Sequence, residues 1–279
     1  MSWASPDGKW RETFWIRIAG GRGHLGAGGI IPTRYVSGMG LLTVLLLACA
    51  PGTPETPPSP AITADPPPVA LEAVASAPAA SATSAARPRV VFLGDSITAG
   101  MGLGVEDAFP AQLSRIWEAA GLPAEVVNAG VSGDTTAGGL RRLDWILGQK
   151  PDVVVLALGA NDMLRGLPPE EAEANLRQMV TRSQAAGAAV VLVGMRANPT
   201  LGPDYVAKFD VLYPRLAAEL EVPLVPFMLD GVAGVTALNQ ADGIHPTAEG
   251  QAKVAGLVGA AVEPVLRARL ARRAVAPPG

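Results

Sequence analysis

The sequence predicts an α/β fold in which a parallel sheet of about five strands carries helices on both faces. Three observations predict it. Short apolar runs rich in valine and leucine, closed by glycine or another turn residue, have the composition of strands buried on both faces. They alternate with longer stretches of helical period from Arg89 to near the end of the 279-residue chain. The polar residues able to do chemistry fall where those runs end, and in open α/β sheets the crevice beyond the carboxyl ends of the strands is the usual site.

Taken in order, Val90, Val91, Phe92 and Leu93 form the first strand, bounded by Pro88 and Gly94, and run straight into a polar turn carrying Ser96. Residues 109–120 have helical spacing through Phe109, Leu113, Ile116 and Trp117 and stop at Gly121; 125–127 is a short strand ending in Asn128-Ala129-Gly130. The spacing predicts one helix over 135–147, with Leu140, Leu143 and Ile146 inward. A fully buried strand over 152–158 then ends in Gly159-Ala160-Asn161-Asp162. Pro168 and Pro169 open a helix over 170–186, and 189–193 is the fourth strand. A helix over 205–220 is expected to bend near Pro214, and 223–227 to form the fifth strand. After Asp242-Gly243-Ile244-His245-Pro246 a last helix begins at Thr247, kinked or interrupted at Pro264. The whole is expected to be a single domain over 88–279.

The chain ahead of that domain is different in kind. Residues 1–38 hold Trp3, Trp10, Phe14 and Trp15 among glycines and basic residues without period, which fits either a real extension or upstream sequence read from too early a start, the second being favoured. The apolar run 39–48 is shorter than the ~20 residues a spanning helix needs and has the length of a signal-peptide core. Leu46-Leu47-Ala48-Cys49 resembles the bacterial lipobox, which implies that Cys49 is lipidated and that the protein is held at a bacterial membrane in the cell envelope, or is secreted. A buried core segment with an ordinary cysteine is the alternative. Residues 49–87 are a Pro/Ala/Ser/Thr tract unable to build a packed core, expected to be a disordered tether. The organisation expected is therefore an extension and signal over 1–48, a tether over 49–87 and one α/β domain over 88–279.

Composition excludes several classes. A net charge of -3 without a Lys/Arg block gives no reason to bind nucleic acid. One cysteine forbids an internal disulfide, and two histidines, His24 and His245, with no Cys/His cluster argue against a metal site. Gly100-Met101-Gly102-Leu103-Gly104 lacks G-x-G-x-x-G spacing, and the residues around Ser96, GDSIT, are not the G-x-S-x-G elbow.

Each polar residue has an ordinary explanation when taken alone. Asp95 and Ser96 suit a turn, His245 can cap the helix that follows it, Asn161 suits an N-cap or Asx turn, and Gly130 is a turn glycine. Together they stand beyond successive strands. Attack by a serine on an acyl carbonyl needs a base, a group to orient that base, and donors for the oxyanion. His245 is the only histidine inside the domain, and Asp242 lies three residues before it.

Gly94-Asp95-Ser96, Gly130 in NAGVSGDT, Gly159-Ala160-Asn161-Asp162 and Asp242-Gly243-Ile244-His245 resemble the four blocks of the SGNH (GDSL) hydrolases. The resemblance spans about residues 89–265 and is nearest the bacterial arylesterase and thioesterase/lysophospholipase type. It implies a flavodoxin-like three-layer α/β/α fold and a serine esterase with no metal or organic cofactor. Ser96 is then the nucleophile, His245 the base and Asp242 its orienter, with the amides of Ser96 and Gly130 and the side chain of Asn161 as oxyanion donors. The substrate is a small acyl ester or a lipid. Loops 195–204 and 228–241 are expected to wall the acyl pocket, with Leu229 and Val232 setting chain length. A carbohydrate O-acetylesterase needs the same site; a non-catalytic envelope-binding lipoprotein would be expected to have lost Ser96, Asn161 or His245.

Overall fold

Val90, Val91, Phe92 and Leu93 have no exposed surface, which a run of four apolar side chains requires once helices cover both faces of its strand. In the computed structural model, which describes residues 87–275, they belong to β1 (Arg89–Gly94). This strand lies between β2 (Glu125–Gly130) and β3 (Val153–Ala157), followed outward by β4 (Ala189–Val193) and β5 (Leu224–Val225). The order is β2-β1-β3-β4-β5 and every pair is parallel, the flavodoxin-like arrangement. Gly94 pairs with Gly130 on one side and Ala157 on the other. The ends of three strands therefore form one row, and the crevice opens beyond it.

Because the sheet grows in one direction from β1 to β2 and in the other from β1 to β3, right-handed crossovers place the connecting helices on opposite faces. One layer holds α2 (Phe109–Ala119) packed on α8 (Ala248–Val275); in the other α6 (Pro169–Ala185) packs between α3 (Thr136–Arg141) and α7 (Pro203–Glu219). Phe109, Leu113 and Trp117 repeat every four residues and are buried, Phe92 meeting the Phe109 ring edge-on at 5.4 Å and the Trp117 ring at 6.3 Å. Ile116, expected inward, is 51% exposed.

Two elements depart from expectation for identifiable reasons. The helix predicted over 135–147 is two pieces, α3 and α4 (Leu143–Gly148), divided at Arg142, whose backbone leaves helical geometry as its side chain turns into the fold. β5 is short because Pro223 and Pro226 flank it and proline cannot donate to a ladder. Pro214 and Pro264 sit inside α7 and α8, each of which continues through its proline.

Among the described residues no helix is long and apolar enough to cross a membrane. The extension and signal segment expected over 1–48, Cys49, and the tether up to residue 86 lie outside the described residues.

Candidate active site

Ser96 opens α1 (Ser96–Ala99), a single helical turn directly beyond β1. Asp95 caps that turn, its Oδ1 accepting the Ile97 N–H at 3.0 Å, and Gly100 closes it in the left-handed region. From beneath, the buried Gln251 of α8 donates to the Ile97 carbonyl at 2.9 Å and accepts from the Phe109 N–H at 3.0 Å. The sequence carried a sign of Gln251 that went unread. It falls on the same helical face as the buried Val254, Ala255, Val258 and Val262, and a polar residue within an apolar stripe has a buried partner to satisfy.

His245 reaches Ser96 from the loop before α8. Its Nε2 lies 2.9 Å from Ser96 Oγ and its Nδ1 2.6 Å from Asp242 Oδ2. Asp242 is fixed in turn: its Oδ1 accepts the N–H groups of Ile244 at 2.8 Å and His245 at 3.0 Å. Gln240 ties this loop to the Ser96 loop by donating to the Met101 and Pro246 carbonyls. Partial burial acts to raise the Asp242 pKa, but the His245 ring and the two backbone N–H groups outweigh it and hold the carboxyl below its ordinary value. An ionised Asp242 selects the tautomer with the proton on Nδ1, leaving Nε2 to accept from the Ser96 hydroxyl. A serine so placed can pass its proton to the ring as it attacks a carbonyl.

Asn161 stands in α5 (Ala160–Leu164), just beyond β3. One amide hydrogen donates from Nδ2 to the Asp134 carbonyl at 3.0 Å, which leaves the second free to point elsewhere. The expectation for Gly130 is corrected. Its N–H donates to Asn128 Oδ1 at 3.0 Å, and a Cβ on it would lie 2.3 Å from the Ala99 nitrogen. Gly130 is therefore the glycine that lets β2 approach the backbone of α1. Three residues on, Gly133 sits in the left-handed region with φ +80 in a turn closed by Asp134 N–H on the Val131 carbonyl. Its own N–H has no partner among the described residues, while its carbonyl accepts from Arg165 at 2.7 Å. Asn161 and Arg165 thus grip the turn through the adjacent carbonyls of Asp134 and Gly133. The letters SGDT held this glycine too, and two glycines three residues apart cannot be ranked without knowing which amide is taken.

Asp95 is 3% exposed, and burial pushes its carboxyl up to about 6, against the pull of the Ile97 N–H and the nearby His245. A folded-state value above the unfolded one means that stability is fullest below about pH 4 and falls as pH rises through 6, by roughly 3 kcal/mol. Asp95→Asn keeps an acceptor for the cap and removes the charge. It is expected to flatten that dependence and to gain about 1 to 3 kcal/mol at pH 8 with little change at pH 4. Urea unfolding at the two pH values checks this, and an unaltered slope would contradict it.

Leu229 and Val232, expected at the acyl pocket, are instead packed in the core, at 3% and 0% exposure. The exposed apolar side chains on loops and helix ends beyond the strands include Met101, Val105, Val131, Leu164 and Val235. Among the described residues no group of three or more His, Cys, Asp and Glu is placed to hold a metal ion.

The chain is similar to known ester hydrolases in sequence and in fold. The profile of the GDSL-like Lipase/Acylhydrolase family matches residues 92–253. Esterase TesA of Pseudomonas aeruginosa is 42% identical over 183 residues, 65% of this chain and 91% of that protein. The Thioesterase 1/protease 1/lysophospholipase L1 of Escherichia coli K12 is 38% identical over 184 residues, 66% of this chain and 87% of that one. The crystal structure of AlinE4, a SGNH-hydrolase family esterase, superposes with a TM-score of 0.55 at 41% identity, covering 64% of this chain and 97% of the other. With a profile match over more than half its length and the same parallel α/β sheet, this chain belongs to the GDSL-like lipase/acylhydrolase family and is a carboxylic ester hydrolase.

Proposed function

We propose that the protein cleaves acyl esters through Ser96 as nucleophile, with His245 as general base and then acid and Asp242 as the carboxylate that orients it. The observation that carries this reading is the unbroken chain Ser96 Oγ, His245 Nε2, His245 Nδ1, Asp242 Oδ2, with links of 2.9 and 2.6 Å. Ser96 attacks the carbonyl carbon while its proton passes to Nε2. The negative charge that develops on the carbonyl oxygen is met by the N–H of Ser96, the N–H of Gly133 and the free amide hydrogen of Asn161. Collapse expels the alcohol or thiol, which takes the proton from the imidazolium. Water, deprotonated by the same ring, then releases the acid from the acyl-serine.

The substrates proposed are small aryl and thioesters and single-chain lipids, for which Met101, Val131, Leu164 and Val235 offer apolar surface beyond the strands. Two relatives at 42% and 38% identity are named as an esterase and as a thioesterase and lysophospholipase. A panel of p-nitrophenyl esters, lysophosphatidylcholine and acyl-CoA tests the range. Turnover confined to acetylated carbohydrate would replace this substrate class.

Donors aimed at an oxyanion matter in the transition state and little in the ground state. Asn161→Ala is therefore expected to lower kcat by about 10²- to 10³-fold with KM nearly unchanged. A raised KM with kcat intact would make Asn161 a substrate binder.

We further propose that Cys49 is lipidated and holds the domain at a bacterial membrane by the tether that follows it. The support is the apolar run 39–48 ending at Cys49 and the Pro/Ala-rich composition beyond it. Cys49→Ala is expected to abolish fatty-acid labelling in cells and leave the protein uncleaved or soluble. Equal palmitate incorporation in that variant would end the lipoprotein reading.

A further inference from the structure

Arg142, at the break between α3 and α4, turns its guanidinium into the fold, where its side chain is 20% exposed and that of its partner Asp134 12%. Nε donates to Asp134 Oδ2 at 2.7 Å, one terminal nitrogen to the Ala129 carbonyl at 2.6 Å, and the other to the Gly94 carbonyl at 2.9 Å. These acceptors belong to different parts of the site. Gly94 ends β1 two residues before Ser96, and Ala129 lies near the end of β2. Asp134 follows Gly133, and its carbonyl holds Asn161.

The Asp134 end is held as closely as the Gly94 end. A Cβ on Gly138 would fall 1.6 Å from Asp134 Oδ1, so the carboxylate rests on the backbone of α3 where a glycine alone leaves room. The Gly94 carbonyl accepts a second bond, from the Val131 N–H at 3.0 Å, and the Val131 carbonyl closes the turn through the Asp134 N–H at 3.0 Å. A largely desolvated ion pair is weak support for stability. What a planar guanidinium adds is three donors in fixed directions, which an ammonium on a flexible stem does not reproduce.

We propose that Arg142 is a positioning residue for ester hydrolysis. It sets the separation between the strand that carries Ser96 and the turn that carries Gly133 and anchors Asn161. The donors are thereby aligned on the carbonyl oxygen as it becomes an oxyanion. The proposal rests on the reading of Gly133 and Asn161 as oxyanion donors, and acts through them, since Arg142 itself bonds no reacting atom.

The test is a double-mutant cycle on the full chain, with kcat and KM for p-nitrophenyl acetate measured for wild type, Arg142→Lys, Asn161→Ala and the double variant, each checked for folding by circular dichroism. Misplacing a donor by about 1 Å costs up to ~10²-fold, so Arg142→Lys is expected to lower kcat by about 10- to 10²-fold with KM within about 3-fold. In the Asn161→Ala background the same substitution is expected to cost at least about 3-fold less than in the wild type, because of the two donors it aligns only the Gly133 N–H remains. A full-sized effect in both backgrounds, or an unchanged kcat in the single variant, overturns the proposal and leaves Arg142 a structural residue. An unchanged kcat for Asn161→Ala alone would instead bring down the oxyanion reading, and the proposal with it. If Arg142→Lys does not fold, Asp134→Asn is carried through the same cycle. It keeps the carbonyl that holds Asn161, weakens only the pair, and is judged by the same two criteria.

Discussion

Ser96→Ala is expected to lower kcat/KM for p-nitrophenyl acetate by about 10⁴- to 10⁶-fold while leaving the chain folded. The size follows from the chemistry. Without Oγ there is no acyl-enzyme, and what remains is a carbonyl held near oxyanion donors with water as a poor nucleophile. The fold should tolerate the change because the deleted atom contacts His245 at 2.9 Å rather than the apolar core. The turn itself is held by Asp95 on Ile97 N–H and Gln251 on the Ile97 carbonyl, neither of which involves the hydroxyl. A melting temperature within a few degrees of wild type would accompany the loss; a collapse of both together would mean that the variant had unfolded instead.

His245→Ala is expected to be nearly as damaging as loss of the serine, and Asp242→Asn less so, at about 10²- to 10⁴-fold in kcat/KM. The difference lies in what each removal leaves behind. Alanine at 245 takes away the proton acceptor altogether. Asparagine at 242 can still accept the Ile244 and His245 N–H groups through its oxygen, so the turn keeps its shape. Its NH₂ group, however, then faces Nδ1 and favours the tautomer with the proton on Nε2, where it opposes the Ser96 hydroxyl. In the wild type Asp242 is held below the ordinary carboxylate range and stays charged as pH falls. The loss of activity in acid should therefore not track protonation of Asp242. Equal rates for Asp242→Asn and wild type would show that orientation by this carboxylate contributes nothing.

Much of the fold was legible because its strands obey a strong pattern. A strand buried on both faces must be apolar throughout, and the runs at 90–93 and 189–193 could be little else. Proline is a weaker signal: an interruption at Pro264 was one of two expectations, and α8 runs through that residue unbroken, as α7 does through Pro214. The break that does occur, at Arg142, has no proline or glycine at the break itself. Its cause is three inward hydrogen bonds to residues 8, 13 and 48 positions away, which no local pattern encodes.

The candidate site was legible in a similar, uneven way. Ser96, Asp242 and His245 carry side chains with distinctive chemistry, and the structure brings them into one hydrogen-bonded chain. Gly130 and Gly133 carry none. A donor that is a backbone N–H leaves no mark on the residue type, so the choice between them depends on Asn128 occupying one amide and not the other. Leu229 and Val232 failed for a related reason, since an apolar residue in a loop reads alike whether it faces a pocket or the core.

Ser96 Oγ is the atom proposed to attack, and covalent labelling tests that most directly. A fluorescent phosphonate mimics the tetrahedral intermediate and forms a stable bond only with an activated nucleophile. Incubated with the purified chain, digested with trypsin and read by mass spectrometry, the adduct is predicted on Ser96 within the peptide of residues 90–115, and to be absent from Ser96→Ala. An adduct on Ser114 or on any other residue, or equal labelling of the Ser96→Ala protein, would contradict it.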